Sequence, residues 1–511
     1  MIAARHLLDG WTAPERLAWL VPPAVFVVVL LSPVPIEQLV AVSLGAGLVV
    51  VLARRPMVPL VGLVVGLPLS QLALAGLYRL GAPRSLVRPL GQWKEAAVAA
   101  LVLAALARWR RDRPALDLLD KLALGYVGIG TVYLLLPGLF VAGPSELSLT
   151  DRFFGFRTDV VYVVLLLAAR HLRLDRRQLR TLLWAALGTM AAVGAVGVFE
   201  WLASDSWNRF VIETLRLPRY RLDVLGLDPI AEGRRLYDIR TYGVVGGRRF
   251  VRVGSTLFSQ LSAAFFLAAG VALAVELLVR GRARRWIAVG GAVMAAGLVF
   301  TQTRAGLLAA AVAVLLAVRP MRGRSRANRV RFTLALAGMA VFAVPAIVGA
   351  GLSDRLSGDE ESDSLHRQSL TGGISAIVHK PLGRGLATAA GGGQRVGSGD
   401  VVITENQYLQ IGVQLGVPAM ALYIGLVLVI PRYLLRPRRT GDDDDDDLAF
   451  GSAVRVMFIG LCVGGFFLQP FIDFAVSWTA WALVGACLGS VERHQDDLPA
   501  VGTSRPAGVV D

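Results

Sequence analysis

Cysteine and lysine are scarce in this sequence of 511 residues. The two cysteines, Cys462 and Cys487, both lie in late apolar segments, which argues against a disulfide framework and against a thiolate metal site. Lysine supplies only 3 of the 53 basic residues, and alanine, valine, leucine and glycine dominate the chain, as in proteins from GC-rich bacterial genomes. An abundance of arginine is therefore weak evidence about function by itself.

Charged residues make up only 18% of the chain, whereas 55% of its residues are hydrophobic. Apolar segments of spanning length recur along it, which predicts a polytopic membrane protein rather than a set of soluble domains. The net charge of +16 does not indicate nucleic acid as a partner, because the basic residues fall mostly in short loops between apolar segments. The aspartate run at 442–447 is typical of a solvated linker, so we expect neither a metal nor a cofactor.

The N-terminus has no convincing small-residue cleavage site, so the first apolar segment, at 17–32, is predicted to stay in the protein as a span. If the N-terminus is cytoplasmic and each successive apolar segment crosses the membrane, six arginine-rich loops all lie on the cytoplasmic side, as the positive-inside rule requires. One external loop, at 79–93, is itself basic, and its pattern suggests a short interfacial helix. The sequence thus predicts an all-α integral membrane protein with about fourteen transmembrane helices, cytoplasmic N- and C-termini and two long external loops.

The predicted topology divides the chain into six parts. Transmembrane helices are predicted in 1–203, 257–351 and 405–490, external loops in 204–256 and 352–404, and a cytoplasmic tail in 491–511. The first loop is rich in arginine and aromatic residues, either for compositional reasons alone or as a rim that attracts an anionic headgroup and stacks against sugars. The second loop has a helical stretch before a glycine-rich segment, 391–399, and is either a lid over an external site or a plain surface loop.

Arg304 interrupts an apolar run that extends from Trp286 to Val318. The run is too long for one untilted span of about 20 residues and just long enough for two spans near the lower limit of about 17. Basic segments flank the run on both sides, and both are expected in the cytoplasm. The run is therefore predicted to be a helical hairpin whose turn, 301–304, places Arg304 at the external face.

Polar residues stand at the predicted external ends of several spans. Arg252 precedes one span, Arg304 begins another after the hairpin turn, Arg367 lies in the second long loop, and Glu405 precedes the next span. A single arginine near a membrane face ordinarily extends to the headgroups. Three arginines with a carboxylate are more typical of groups that face a cavity and pair there.

Four motifs in a fixed order carry a family resemblance. They are RVGSTLFSQLSAAFFLAAG from Arg252, TQTRAGLLAA from Thr301, HKPLGRGLA from His379 and ENQYLQIGVQLGVPAMALYIG from Glu405. Over roughly 252–425 the chain resembles the O-antigen ligase and O-antigen polymerase superfamily, which are integral-membrane glycosyltransferases of the C-type fold. The N-terminal spans match that family only in being apolar. The resemblance implies an enzyme of the bacterial plasma membrane that uses polyprenyl-diphosphate-linked glycans.

The resemblance also implies roles for individual residues. In that family one arginine in the hairpin and one before the preceding span hold the diphosphate, which assigns these roles to Arg304 and Arg252. The ligase branch has a histidine just before the Asn of its Asn-x-Tyr-Leu span, where this chain has Glu405, and this departure argues against a straightforward ligase. Arg304 and Glu405 are the predicted catalytic residues. The predicted substrate contacts are Arg252, Arg367, Asn406, Tyr408 and His379.

The general base is left open among Glu405, His379 and His366, or no residue at all, because Glu405 also fits a carboxylate that balances an arginine. A sugar diphosphate is already a good leaving group, so such an enzyme must mainly position two glycans and neutralise charge on the diphosphate. Arginine does so in a bidentate manner without a metal. The expected partners are the lipid-linked donor, a glycan or other external acceptor, membrane lipid and a chain-length regulator protein.

Two other functions remain open at this stage. A flippase for lipid-linked oligosaccharides also has many spans, but a transporter should show two related halves and charges near the bilayer midplane. We find no convincing internal repeat, and the charges cluster at external span ends. A peptidoglycan-type polymerase shares the lipid carrier and a related fold.

Overall fold

The computed structural model of the protein describes residues 36–136, 147–226, 241–245, 248–280, 285–318, 360–389, 401–435 and 445–496. The spans predicted at 17–32 and 332–351 lie outside these residues, as do both chain termini and the glycine-rich segment 391–399. The described segments are mostly helical, in agreement with an all-α membrane protein.

Seventeen α-helices occupy the described residues. They are α1 (Ile36–Arg54), α2 (Met57–Arg79), α3 (Arg84–Leu90), α4 (Trp93–Asp112), α5 (Leu118–Leu135), α6 (Leu149–Asp159), α7 (Val161–His171), α8 (Arg176–Leu202), α9 (Ser204–Arg209), α10 (Leu217–Leu225), α11 (Gln260–Val279), α12 (Arg285–Phe300), α13 (Arg304–Val318), α14 (Glu360–His379), α15 (Gln407–Tyr433), α16 (Asp445–Gly464) and α17 (Phe474–Asp496).

Each predicted span within the described residues contains a helix, although the span at 158–172 crosses the junction of α6 and α7 and the span at 453–470 extends six residues beyond α16. Six helical segments are long and apolar enough to cross a membrane, and six shorter apolar helices of 10–17 residues accompany them. The short helix expected at 79–93 is present as α3. The total of fourteen spans and the sidedness of the loops stay predictions.

The helix α11 lies at the centre of the described bundle. Its side chains are apolar on every face, and nearly all of them are buried, as expected of a helix surrounded by other helices. The helices α8, α12, α13 and α16 pack against it. The predicted hairpin of α12 and α13 is therefore opened around α11, because each of its helices packs on α11 rather than along the other.

A two-stranded antiparallel sheet departs from the helical class within the first long loop. The strands β1 (Thr241–Val245) and β2 (Arg248–Arg252) pair so that Thr241 lies opposite Arg252. A π-helical turn at Phe210–Thr214 also lies in this loop. The loop that was predicted only as a basic segment thus contains ordered elements, and β2 ends at a candidate site residue.

The helix α15 is broken ten residues after it begins. Gly416 has φ 81° and ψ 173°, a conformation that suits glycine because it has no Cβ. Pro418 follows and has no backbone N–H to donate to the Gln414 carbonyl, as a helix would require. The break therefore leaves the carbonyl groups of Val413 and Gln414 in need of other donors.

The segment 381–387, which follows α14, supplies those donors. The Arg384 N–H donates to the Val413 carbonyl at 2.8 Å, and the Gly385 N–H donates to the Gln414 carbonyl at 2.9 Å. The Tyr133 hydroxyl of α5 donates to the carbonyl of Leu382 in the same segment. The part of α15 before the break is thus held by a segment that is distant in sequence.

Candidate functional site

Arg252 and the turn that precedes Arg304 are joined directly. The Arg252 Nε donates to the Thr301 carbonyl at 3.2 Å, and its Nη2 donates to the Thr303 hydroxyl at 3.2 Å. Both threonines are buried, and the Val253 N–H donates to the Phe300 carbonyl at 3.1 Å. The two arginines that the sequence separates by about fifty residues therefore share one turn.

Arg304 is the first residue of α13, and its side chain is exposed. Gln302 in the turn has φ 53°, so the chain reverses direction within three residues. Gly306 then lets α13 approach α11 closely, because a Cβ at this position would lie 2.7 Å from the Cβ of Ala264. The Thr-Arg-Ala-Gly motif thus consists of a turn, an exposed guanidinium and a site of close helix packing.

Glu200, which belongs to none of the sequence motifs, anchors the segment that carries Arg252. This buried carboxylate near the end of α8 accepts hydrogen bonds at its Oε2 from the N–H groups of Gly254 at 3.1 Å and Ser255 at 2.6 Å. The Ser255 hydroxyl donates to the Val193 carbonyl at 2.6 Å, also on α8. The signal in the sequence is a lone glutamate at the end of an otherwise apolar span.

Asn406 and Tyr408 have partners inside the protein. The Asn406 side chain caps α15 by accepting from the N–H groups of Tyr408 and Leu409, and its Nδ2 donates to the Phe466 carbonyl at 2.9 Å. The Tyr408 hydroxyl donates to the Cys462 carbonyl at 2.8 Å. Both side chains are buried, so they fasten the start of α15 to the end of α16.

The turn after α16 connects the two parts of the site. The backbone of Gly464 lies beside Ala305 at the start of α13, and Gly465 accepts at its carbonyl from the Gln407 N–H at 2.9 Å. The next residues, Phe466 and Phe467, are 54% and 46% exposed. An exposed aromatic pair therefore lies between the end of α13 that bears Arg304 and the start of α15.

Glu405 immediately precedes α15 and is half-buried. Its N–H donates to the Ser369 hydroxyl of α14 at 2.7 Å. Gly373 and Ile377, one and two turns further along α14, contact Thr404 and α15, so the two helices run side by side in the same direction. This contact places the Ser369 end of α14 beside Glu405, and the exposed Arg367 lies at the same end of α14 but on another face of the helix than Ser369.

His379 lies at the other end of α14. It follows Arg367 by twelve residues, which corresponds to about 18 Å along a helix. Its ring Nδ1 is 2.8 Å from the Ser375 carbonyl, and the side chain is exposed. The structure therefore separates His379 from the group around Glu405, and the side chain of His366 lies outside the described residues.

A buried carboxylate, Asp159, ends α6 and lies beside the first part of α15. The Gln410 Nε2 donates to its Oδ1 at 2.7 Å, and the Gln414 side chain also bonds to it. The Tyr126 hydroxyl donates to its main-chain carbonyl at 2.8 Å. Within the described part of the chain, the Gln410 Oε1 is buried and has no hydrogen-bond partner. Asp159 thus links the part of α15 before the break to α5 and α6.

We expect Asp159→Leu to lower the unfolding midpoint of the detergent-solubilised protein and Asp159→Asn to leave it almost unchanged. Leucine leaves two buried amides without an acceptor, at a cost of about 1–3 kcal/mol for each group. Asparagine restores the pairing when the Gln410 side-chain amide rotates by 180°, because the Gln410 Oε1 has no other partner and can accept from the new asparagine N–H. An Asp159→Asn variant as unstable as Asp159→Leu would show instead that the charge itself is required.

The site combines an arginine-bearing turn with a carboxylate at a helix start. No group of three or more His, Cys, Asp or Glu side chains converges as metal ligands would among the residues that the structure describes. The guanidinium groups suit a phosphate-containing ligand, since arginine matches phosphate oxygens with two parallel hydrogen bonds. The carboxylate suits a hydroxyl group that must lose a proton.

Comparison with known families addresses the part of the chain that contains most of this site. Residues 289–424 match a family model described as O-Antigen ligase. No curated protein matches the chain. The matched region includes Arg304, Arg367, His379 and Glu405, whereas Arg252 and Glu200 precede it. The match confirms the resemblance for the three motifs from Thr301, His379 and Glu405, whereas the motif from Arg252 precedes the matched residues: in this multi-pass membrane protein, residues 289–424 match the O-antigen ligase and polymerase superfamily.

Proposed function

We propose that the protein transfers or polymerises oligosaccharide repeat units from a polyprenyl-diphosphate donor on the outer face of a bacterial plasma membrane. The family match supports a glycosyltransferase-like ligase or polymerase in general. The observation that carries the finer proposal is the docking of Arg252 onto the turn that presents Arg304. This arrangement holds two guanidinium-bearing segments at the mouth of one group of helices.

The two arginines bind the donor diphosphate. Arg252 is oriented by the carbonyl of Thr301 and the hydroxyl of Thr303, while Arg304 is exposed at the end of α13. When the glycosidic bond to the diphosphate breaks, the electron pair leaves with the polyprenyl diphosphate. Fixed positive charges at that position stabilise the transition state, because the developing negative charge meets donors that need no reorganisation.

Glu405 acts as the general base. A hydroxyl of the acceptor glycan attacks the anomeric carbon of the donor sugar, and Glu405 takes the proton that this hydroxyl loses. Its main chain is held by Ser369 of α14, and the neighbouring Asn406 caps α15. We assign His379 a glycan contact instead, because it lies at the end of α14 that is far from Glu405, about 18 Å from Arg367 along the helix.

The remaining predicted residues orient the two substrates. Asn406 and Tyr408 are buried and bonded to the turn after α16, so we assign them the positioning of Glu405 rather than direct contact with the glycan. Arg367 contacts the glycan from the adjacent α14. The exposed Phe466 and Phe467 offer an apolar surface for the acceptor sugars, since exposed aromatic patches mark binding surfaces. A chain-length regulator stays a predicted partner.

Glu405→Gln is expected to lower transfer by about 10²–10⁴-fold, because the amide cannot accept the proton of the acceptor hydroxyl. The variant is expressed in the native host after depletion of the host's own copy of the protein. The lipid-linked repeat units are then followed with a sugar label that reaches only the outer leaflet. We expect these units to accumulate outside while long polymer disappears.

Glu213→Gln, a change of an exposed carboxylate in the first long loop, is the matched control and should leave polymer unchanged. Accumulation of repeat units on the cytoplasmic side of the Glu405→Gln membrane would favour a flippase and contradict the proposal. If the Glu405→Gln variant lost the glycan strands of the cell wall but kept the surface polysaccharide, the result would favour the peptidoglycan-type polymerase. Unchanged polymer would remove Glu405 from the role of base.

A further inference from the structure

An apolar groove lies between α4, α5 and α7, away from the site described above. It has a volume of about 320 Å³. Its walls are almost entirely apolar, which distinguishes it from pockets for polar ligands, where a few polar groups converge. Six of the lining side chains are Val102, Leu106, Trp109, Leu124, Val127 and Val164. Such walls suit a hydrocarbon chain.

The length of the groove matches one leaflet of a bilayer. It extends along α5 from Leu116, just before the helix, to Val127, which is about 14 Å from the start of α5. The hydrocarbon core of a bilayer is about 30 Å thick, so one leaflet contributes about half of that length. A single acyl chain from the nearer leaflet therefore fits the groove from one end to the other.

The residues at one end of the groove belong to arginine-rich segments of the chain. Trp109, Leu116 and His171 line this end. The sequence segments that supply them, 108–120 and 170–180, contain nine arginines against four aspartates. Both segments are predicted to lie at the cytoplasmic end, where tryptophan is common at the headgroup level.

Some of these arginines are already paired with aspartates. Arg170 forms ion pairs with Asp117 at 2.7 Å and Asp120 at 3.0 Å, and Arg173 lies 3.9 Å from Asp112. The side chains of Arg110 and Arg113, which follow Trp109 closely in the chain, are exposed. An excess of positive charge thus remains directly beside the apolar groove.

We propose that this groove binds an anionic glycerophospholipid of the inner leaflet, with one acyl chain between α4, α5 and α7 and its phosphate against Arg110 and Arg113. The positive-inside rule accounts for arginines in these loops but not for an apolar groove that ends among them. A bound acyl chain would fill the space between three helices, and the headgroup would contact the loop between α4 and α5. The site is independent of the proposed transfer reaction.

The test compares two phospholipids with the same acyl chains, one with an anionic and one with a zwitterionic headgroup. The full-length protein in a neutral detergent is titrated with phosphatidylglycerol or with phosphatidylcholine of the same acyl chains, and bound lipid is counted by native mass spectrometry. We expect phosphatidylglycerol to bind at least about tenfold more tightly, since the nearby arginines attract its net negative charge. The preference should diminish as salt is added.

Two kinds of variant distinguish the contribution of the lipid headgroup to binding from that of the acyl chain. Arg110→Gln with Arg113→Gln should remove the preference for phosphatidylglycerol, whereas Arg285→Gln, an exposed arginine predicted to face the same side, should not. Leu106→Trp should reduce binding of both lipids by narrowing the groove, whereas Val289→Trp, at a 56% exposed position on α12, should have no effect. Soluble glycerol phosphate should not displace the lipid.

Three outcomes would overturn the proposal. Equal binding of the two lipids would mean that the arginines do not recognise the headgroup. Loss of binding in the arginine variant with full binding in Leu106→Trp and Val127→Trp would mean that only surface charge attracts the lipid. Failure of both lipids to bind the native protein would mean that the groove is closed to lipid.

Discussion

Replacement of Arg304 with alanine should abolish glycan transfer while the protein stays folded in the membrane. The loss is expected to be at least about 100-fold, the usual effect of removing one preorganised charge-stabilising group. The side chain is exposed at the first position of α13, so its removal leaves no cavity in the bundle. Arg304→Lys should retain part of the activity, because lysine keeps the charge but loses the planar fork that matches two phosphate oxygens.

The measurement is the length of surface polymer in the native host together with the amount of lipid-linked donor in the outer leaflet. Arg209→Ala, a change of an exposed arginine on α9 in the first long loop, is the control for a general loss of positive charge. Both arginine variants must reach the membrane in equal amounts. Normal polymer in Arg304→Ala would contradict the role of this residue, even if the family assignment is correct.

Glu200→Ala should damage both the stability of the protein and its activity. The change leaves the N–H groups of Gly254 and Ser255 buried without an acceptor, at a cost of about 1–3 kcal/mol for each. Ser255 has φ 52°, so this segment holds an uncommon backbone conformation that needs its anchors. Release of the segment would also displace Arg252, which lies two residues before Gly254.

Glu200→Gln separates the hydrogen bonds from the charge. Both N–H groups donate to the same oxygen, Oε2, and the single oxygen of a glutamine amide can take that place. We therefore expect Glu200→Gln to have an unfolding midpoint and a transfer rate close to those of the native protein. Glu213→Ala, at an exposed position of the first long loop, should change neither the unfolding midpoint nor the transfer rate. A Glu200→Ala variant with native stability and activity would show that the anchor is dispensable.

The amino-acid sequence by itself determined the membrane class and the position of most helices. Long apolar segments and the loops between them are properties of contiguous residues, so hydropathy and charge are sufficient to find them. The turn at Thr301–Thr303 followed from the length of the apolar run and the basic segments on either side. The positions of Arg252, Arg304 and Glu405 just before or at helix starts followed from the same topology and from the motif order, whereas their grouping with Arg367 in one site stays a prediction.

Only the tertiary structure decided how these residues are supported. Asn406 bonds to Phe466, sixty residues later, and Gly254 bonds to Glu200, fifty-four residues earlier. The sequence predicted a substrate contact for Asn406, whereas its amide is already engaged within the protein. Such pairings depend on which helices become neighbours, and hydropathy treats all apolar helices alike.

The break in α15 and the opened hairpin have the same origin. Gly416 and Pro418 are visible in the sequence, but the donors that satisfy the freed carbonyl groups come from the distant segment 381–387. The helices α12 and α13 separate because α11 packs between their apolar faces. Hydropathy and charge therefore located most of the helices, and the need to pack helix surfaces and pair buried polar groups decided how the helices and the candidate site residues are held.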